Sequence, residues 1–183
     1  MRIIAGQFRG TRLAALGKGD AGAHLRPTSD RVRESLFSML AGGRFGDPVS
    51  GARVLDLFAG TGALGLEALS RGAAHTSFVD NGRKALALLR ENVRKCRAEN
   101  TKVFACDVRR LGPGTPHDLV FLDPPYGKQI GEKAMAVALE GGWIAPEALI
   151  VWEESAVIAA PASLTFLDTR SYGTTHISLF RHG

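Results

Sequence analysis

The sequence predicts an α/β fold, a mostly parallel sheet with helices packed on both faces. Three observations carry that expectation. Between residues 53 and 152, short apolar runs alternate with stretches of helical periodicity, the pattern of parallel strands joined by crossover helices. The first apolar run opens directly into a glycine-rich turn, Phe58-Ala59-Gly60-Thr61-Gly62, at the point where a strand would hand over to its helix. The chain has 183 residues, 45% of them hydrophobic and 22% charged, enough for one core that needs neither disulfides nor metals to fold.

Taken in order, Thr28 to Leu40 reads as a helix, with Thr28 or Ser29 as N-cap and Val32, Leu36, Phe37, Met39 and Leu40 apolar. Arg53 to Phe58 reads as the first strand, and Ala63 to Gly72 as a short helix stopped by its glycine. Thr76 to Asp80 is a second strand and Arg83 to Ala98 a long helix. Lys102 to Ala105 and Asp118 to Leu122 are the third and fourth strands. A helix around Lys133 to Glu140 precedes a fifth strand, Ala148 to Trp152. Leu164 to Tyr172 and Thr174 to Arg181 are β-like runs joined at Gly173, which predicts a terminal antiparallel hairpin added to the sheet. Residues 1–16 hold two extended runs around Gly6 and Gly10, which suggests a hairpin-like β-arm. A stretch with Gly17, Gly19 and Gly22 follows it. The expected division is therefore a basic arm over residues 1–27 and a catalytic domain over residues 28–183.

Charge sharpens the division. The net charge is +5, and residues 1–33 hold Arg2, Arg9, Arg12, Lys18, Arg26, Arg31 and Arg33 against only Asp20 and Asp30. The remaining 150 residues hold 16 basic and 16 acidic side chains, so the whole excess sits in the N-terminal fifth. Clustered guanidinium groups meet phosphate oxygens through paired hydrogen bonds, so the arm is either a polyanion-binding segment or a solvated surface. Arg2, Arg9, Arg12, Arg26, Arg31 and Arg33 are its candidate polyanion-binding residues. The N-terminus lacks the apolar core of a signal peptide, and no apolar run approaches the roughly 18 residues of a membrane span. Cys96 and Cys106 match no metal or redox spacing and read as free thiols in a reducing cytoplasm. His24, His75, His117, His176 and His182 are scattered, read as surface or loop residues, and predict no metal site.

Two motifs carry the chemistry. In Asp56-Leu57-Phe58-Ala59-Gly60-Thr61-Gly62 the glycines let backbone approach a ligand closely. Asp80 closes the second strand 20 residues after Gly60, the spacing at which a carboxylate accepts hydrogen bonds from ribose hydroxyls. Asp107, just past the third strand, is placed to flank an adenine. Gly60, Gly62 and Gly65 also satisfy a dinucleotide-binding spacing, so the glycines alone leave a nicotinamide oxidoreductase open. The second motif is Asp123-Pro124-Pro125-Tyr126, directly after the fourth strand. The exocyclic amine of a nucleobase is a poor nucleophile because its lone pair is delocalised into the ring. The Asp123 side chain and the Pro124 carbonyl can accept both N–H bonds of such an amine and turn its lone pair toward an electrophile. Prolines add stiffness and acceptors without donors, and Tyr126 can stack on the base. Otherwise the motif is only a stiff turn ending a strand.

Together, Asp56 to Gly62, Asp80 and Asp123 to Tyr126 resemble the Rossmann-like methyltransferases that modify exocyclic amino groups. Arg2-Ile3-Ile4-Ala5-Gly6-Gln7-Phe8-Arg9-Gly10 and Leu25-Arg26-Pro27-Thr28-Ser29-Asp30-Arg31-Val32-Arg33-Glu34 resemble the bacterial small-subunit ribosomal RNA guanine-N2 methyltransferases. Leu64 to Gly72 does so too, and the resemblance runs over nearly the whole chain. It implies a seven-stranded sheet, S-adenosylmethionine as methyl donor, and a guanosine of small-subunit ribosomal RNA as substrate, naked or in an assembling subunit. It further implies that Asp56, Phe58, Ala59, Gly60 and Gly62 line the methionine end of the cofactor. Asp80 would hold the ribose, Asn81, Asp107 and Val108 would lie near the adenine, and Asp123, Pro124 and Tyr126 would handle the guanine amine. An adenine-N6 methyltransferase of DNA or RNA would share the acceptor motif, and a non-catalytic RNA-binding assembly factor would share the arm. Nothing in the sequence demands more than a monomer.

Overall fold

A computed structural model describes residues 1–15, 29–127 and 129–183. The helices are α1 (Asp30–Ala41), α2 (Ala63–Ser70), α3 (Arg83–Cys96) and α4 (Ile130–Glu140). The strands are β1 (Arg53–Leu57), β2 (His75–Asp80), β3 (Thr101–Ala105), β4 (His117–Leu122), β5 (Ile144–Glu154), β6 (Leu164–Tyr172) and β7 (Thr175–His182). All seven strands join one sheet in the order β3-β2-β1-β4-β5-β7-β6. The first five run parallel, and β7 pairs antiparallel with both β5 and β6. The Rossmann-like architecture expected from the sequence is therefore present, with its terminal hairpin turning at Gly173.

β1, β2 and β4 are buried along nearly their whole length because helices cover both faces of the sheet. Alternation divides their side chains: Val54, Phe78 and Phe121 pack into a core beneath α1, α2 and α3. Leu55, Leu57, Val79 and Leu122 pack into a second core with α4 and the 3-10 turn Val108–Arg110. At Gly65 a Cβ would run into the Phe78 ring and come within 2.7 Å of Thr76 Cγ2, so this glycine seats α2 flush on the sheet.

Most element boundaries fall within two residues of expectation. Ser29 is the N-cap of α1, its side chain accepting a hydrogen bond from Val32 N. β5 is much longer than the run Ala148 to Trp152, because Ile144 reaches back to pair with His117. His117 is a correction: not a surface residue, it is wholly buried, parallel to the Trp143 ring at 5.8 Å and hydrogen-bonded to Trp143 O and Ser77 Oγ.

The N-terminal segment turns back on itself: Ile3 N donates to Thr11 O, Gly10 N to Ile3 O and Leu13 N to Met1 O, with one antiparallel bridge between Arg2 and Arg12. Residues 1–15 lie as a strap across α2. Ile3 and Leu13 enter the core, and Ile4 N and Ala5 N donate to the buried Glu67 carboxylate at 2.8 and 3.1 Å. Gly6, at φ +80°, lies so close to the Ser70 carbonyl that a side chain there would collide with it. Arg33 is the second correction. Wholly buried, it pairs with Asp30 at 3.0 Å and Glu67 at 3.6 Å and donates to Arg2 O, so it does not face a polyanion. Arg2, Arg9, Arg12 and Arg31 are exposed. Arg26, with the Gly17–Gly22 stretch, His24, and Leu25 to Thr28 of the second N-terminal motif, lies outside the described residues. Among the described residues no helix is long and apolar enough to cross a membrane, and no His, Cys, Asp or Glu group could hold a metal.

Candidate active site

In a parallel sheet the strand order β3-β2-β1-β4-β5 reverses direction between β1 and β4, and a crevice opens outside their carboxyl ends. Both sequence motifs fall there. The turn after β1 begins at Phe58, held in the left-handed region at φ 61°, and ends at Gly62, the left-handed N-cap of α2. The stretch after β4 begins at Asp123, whose N–H reaches back to Leu57 O across the switch point at 3.5 Å.

The turn is fixed by two carboxylates. Asp80, at the end of β2, accepts from Gly60 N at 2.8 Å through one oxygen and from Gly82 N at 2.7 Å through the other. Asp56 is buried beneath the turn and accepts from Gly65 N at 2.9 Å. Desolvation raises its pKa to about 7, opposed by the Gly65 hydrogen bond and assisted by the Asp80 charge. Asn92, buried on α3, ties the turn to the strap by donating to Thr61 O at 2.9 Å and Ala14 O at 3.0 Å. Asp107, past β3, caps the 3-10 turn through Arg109 N, and the Arg109 guanidinium holds its carboxyl down at about 2. Asn81 is exposed at the crevice edge, whereas the Val108 side chain is buried in the second core.

Across the switch point, desolvation and the Glu153, Asp56 and Glu154 carboxylates hold Asp123 well above its ordinary range. Pro124 is buried and Tyr126 half-buried. The Tyr126 hydroxyl donates to Glu153 Oε1 at 2.7 Å and lies 3.3 Å from Thr175 Oγ1. Burial raises its pKa further above the usual phenol range.

The structure thus brings Asp56, Phe58 to Gly62, Asp80, Asn81, Asp107 and Asp123 to Tyr126 to one edge of the sheet. Their carboxylates suit a ligand with cationic and hydroxyl groups and would repel the pyrophosphate of a dinucleotide. Sequence reasoning missed Glu153, Thr175 and Asn92. Glu153 has a signal in retrospect, an acid closing the strongest apolar run of the chain.

The model of the family described as conserved hypothetical protein 95 matches residues 1–181. The chain belongs to that family. Relatives include the ribosomal RNA small subunit methyltransferase D of Escherichia coli strain K12, 39% identical over 99% of this chain and 89% of the relative. The protein of the same name from Haemophilus influenzae is 34% identical over 100% of this chain and 94% of its own length. The solved structure of the methyltransferase-family protein yhhF of Escherichia coli is 37% identical, with a TM-score of 0.85, covering 100% of this chain and 97% of that one. By family and fold the chain is a methyltransferase.

Proposed function

We propose that this enzyme transfers a methyl group from S-adenosylmethionine to the exocyclic N2 amino group of one guanosine in small-subunit ribosomal RNA. The observation that carries this reading is the convergence of Asp123-Pro124-Pro125-Tyr126 and the Asp80-anchored glycine turn on the same switch point. The similarity to ribosomal RNA methyltransferases over nearly full length supports the substrate class.

S-adenosylmethionine fits the acidic turn: an amino-acid end and sulfonium near Asp56 and Phe58 to Gly62, ribose hydroxyls at Asp80, and adenine between Asn81 and the Asp107–Val108 backbone. When bound, it supplies an electrophilic methyl group on a positively charged sulfur. The Asp123 carboxylate and the Pro124 carbonyl accept the two N–H bonds of the target amine and aim its lone pair along the line of attack. An amine that gained a methyl group would give up one proton, and Asp123 is poised to take it because its environment favours the protonated carboxyl. Tyr126 stacks on the base, a contact worth roughly 1–3 kcal/mol, which offsets part of the cost of withdrawing the base from its neighbours. The exposed Arg2, Arg9, Arg12 and Arg31 engage phosphates beside the site, since Thr61 of the turn touches Met1 of the strap. The work is done in the cytoplasm, on naked RNA or an assembling subunit, by a monomer.

The test is to supply labelled S-adenosylmethionine to small subunits and to RNA from cells lacking the protein, then digest the product to nucleosides for mass spectrometry. N2-methylguanosine at a single site is expected. N6-methyladenosine, or no transfer to either substrate, would overturn the assigned target.

A further inference from the structure

We propose that Gly131, in the first turn of α4, is a positioning residue for methyl transfer. By lacking a side chain it leaves room for Trp152 and Pro124 to close over the helix, and this sets the Pro124 carbonyl that receives the target amine. The inference rests on the acceptor role assigned to that carbonyl above and deepens it.

Gly131 is buried, and its backbone lies outside the left-handed region, so the missing side chain answers to space and not to conformation. A glycine weakens a helix relative to alanine, so the position gives up helix stability to keep that space open. A Cβ there would stand 2.7 Å from Trp152 Cζ2, 3.1 Å from Trp152 Cε2 and 3.0 Å from Pro124 Cγ, where ordinary contact begins at 3.4 Å. One small volume is therefore bounded by the helix, by the fully buried indole of β5 and by the first proline of the motif after β4. Two of these three walls are fixed. Trp152 is paired opposite Leu122 in the β4–β5 register and meets the Phe180 ring edge-on at 6.1 Å. The helix is held by Ala134, Met135 and Ala138, all buried in the same core. Pro124 lies beyond Leu122, the last residue of β4 in register with its neighbours, so it is the wall that yields. A proline ring closes on its own backbone nitrogen, so a push on Cγ is not absorbed by side-chain rotation and moves the peptide. A shift of a few tenths of an ångström there turns the carbonyl off the amine it shares with Asp123. The cofactor turn is fixed separately, by Asp56 on β1 and Asp80 on β2.

The experiment compares wild type, Gly131→Ala, Trp152→Phe and the double variant in kcat and KM on small subunits, S-adenosylhomocysteine affinity by calorimetry, and melting temperature. Trp152→Phe shortens the ring and breaks no hydrogen bond of Nε1, which has no partner among the described residues. Gly131→Ala should lower kcat by roughly 10- to 100-fold, with KM and S-adenosylhomocysteine affinity within about twofold of wild type. Trp152→Phe opens a gap beside Pro124 and should also lose kcat. In the double variant the new methyl fills that gap, so kcat should exceed that of both single variants, by roughly tenfold for Gly131→Ala. A Gly131→Ala enzyme that melts earlier yet keeps the wild-type kcat would show a packing role alone and overturn the proposal. So would a double variant no more active than Trp152→Phe, a comparison that holds even where Gly131→Ala fails to fold. A wild-type enzyme that methylates neither small subunits nor RNA would remove the acceptor assignment itself, and the proposal with it.

Discussion

Burial holds the Asp56 carboxyl at a pKa of about 7 against an ordinary 3.8, a rise the Gly65 N–H limits and the Asp80 charge augments. Between about pH 4 and pH 7 the folded chain therefore keeps a proton that the unfolded chain has already released. Asp56 imposes no penalty below about pH 4, and stability falls as pH rises toward 7. Asp56→Asn preserves an oxygen for Gly65 N–H and removes that loss. The variant should match the parent in urea unfolding at pH 4 and exceed it by roughly 2–4 kcal/mol at pH 8. Equal stability of the two at pH 8 would show that the buried carboxyl is ionised without cost. The same substitution should weaken S-adenosylmethionine binding most at high pH, since a cation draws the carboxyl into its charged form. The place of Asp56 at the crevice was legible because it stands directly before the glycine turn. Its burial was not, since it depends on α2 packing back over β1 to bring Gly65 N onto the carboxylate.

At the scale of elements, the strap is held to α2 by the buried acid Glu67 together with Ser70, which bonds Ala5 O, Phe8 N and Gln7 N. Glu67 accepts from Ile4 N, Ala5 N and Arg71 Nε, and faces Arg33, whose Nε and Nη1 lack hydrogen-bond partners among the described residues. Removing the carboxylate strands a buried guanidinium and two backbone donors, whereas an amide of the same shape keeps one acceptor. Glu67→Ala should cost about 3–5 kcal/mol, with Glu67→Gln less damaging, and amide exchange in residues 3–13 should quicken in both. Wild-type exchange rates across the strap in Glu67→Ala would refute this account of its attachment. Strand and helix positions in the central sheet were readable because apolar runs and 3.6-residue periodicity are local signals. The strap was not, since Glu67 and Arg33 sit in an ordinary helical pattern and their pairing is a tertiary event. His117 escaped for the same reason, its polarity being satisfied only once Ser77 of β2 and Trp143, just before β5, are brought beside it.

For the whole molecule, charge and topology act together. The excess of basic residues lies at the N-terminus, and the strap lays that segment over the α1–α3 face instead of projecting it, with its first residue against the glycine turn. The uneven charge was legible in the sequence, but the burial that withdraws Arg33 into an ion pair with Glu67 was not. Four exposed arginines remain in the described part of the segment: Arg2, Arg9, Arg12 and Arg31. If each neutralises one phosphate, log affinity for RNA should fall against log salt with a slope of about −3 between 50 and 200 mM. Replacing Arg9 and Arg12 by Gln should flatten the slope by about 1.4 and leave S-adenosylhomocysteine affinity unchanged, because both side chains are exposed on the strap. Replacing Arg33 by Gln should lower thermal stability and leave the slope unchanged, since a buried guanidinium releases no counterions. A slope that flattens equally for Arg33→Gln would return that residue to the RNA surface and show that the strap opens when RNA binds.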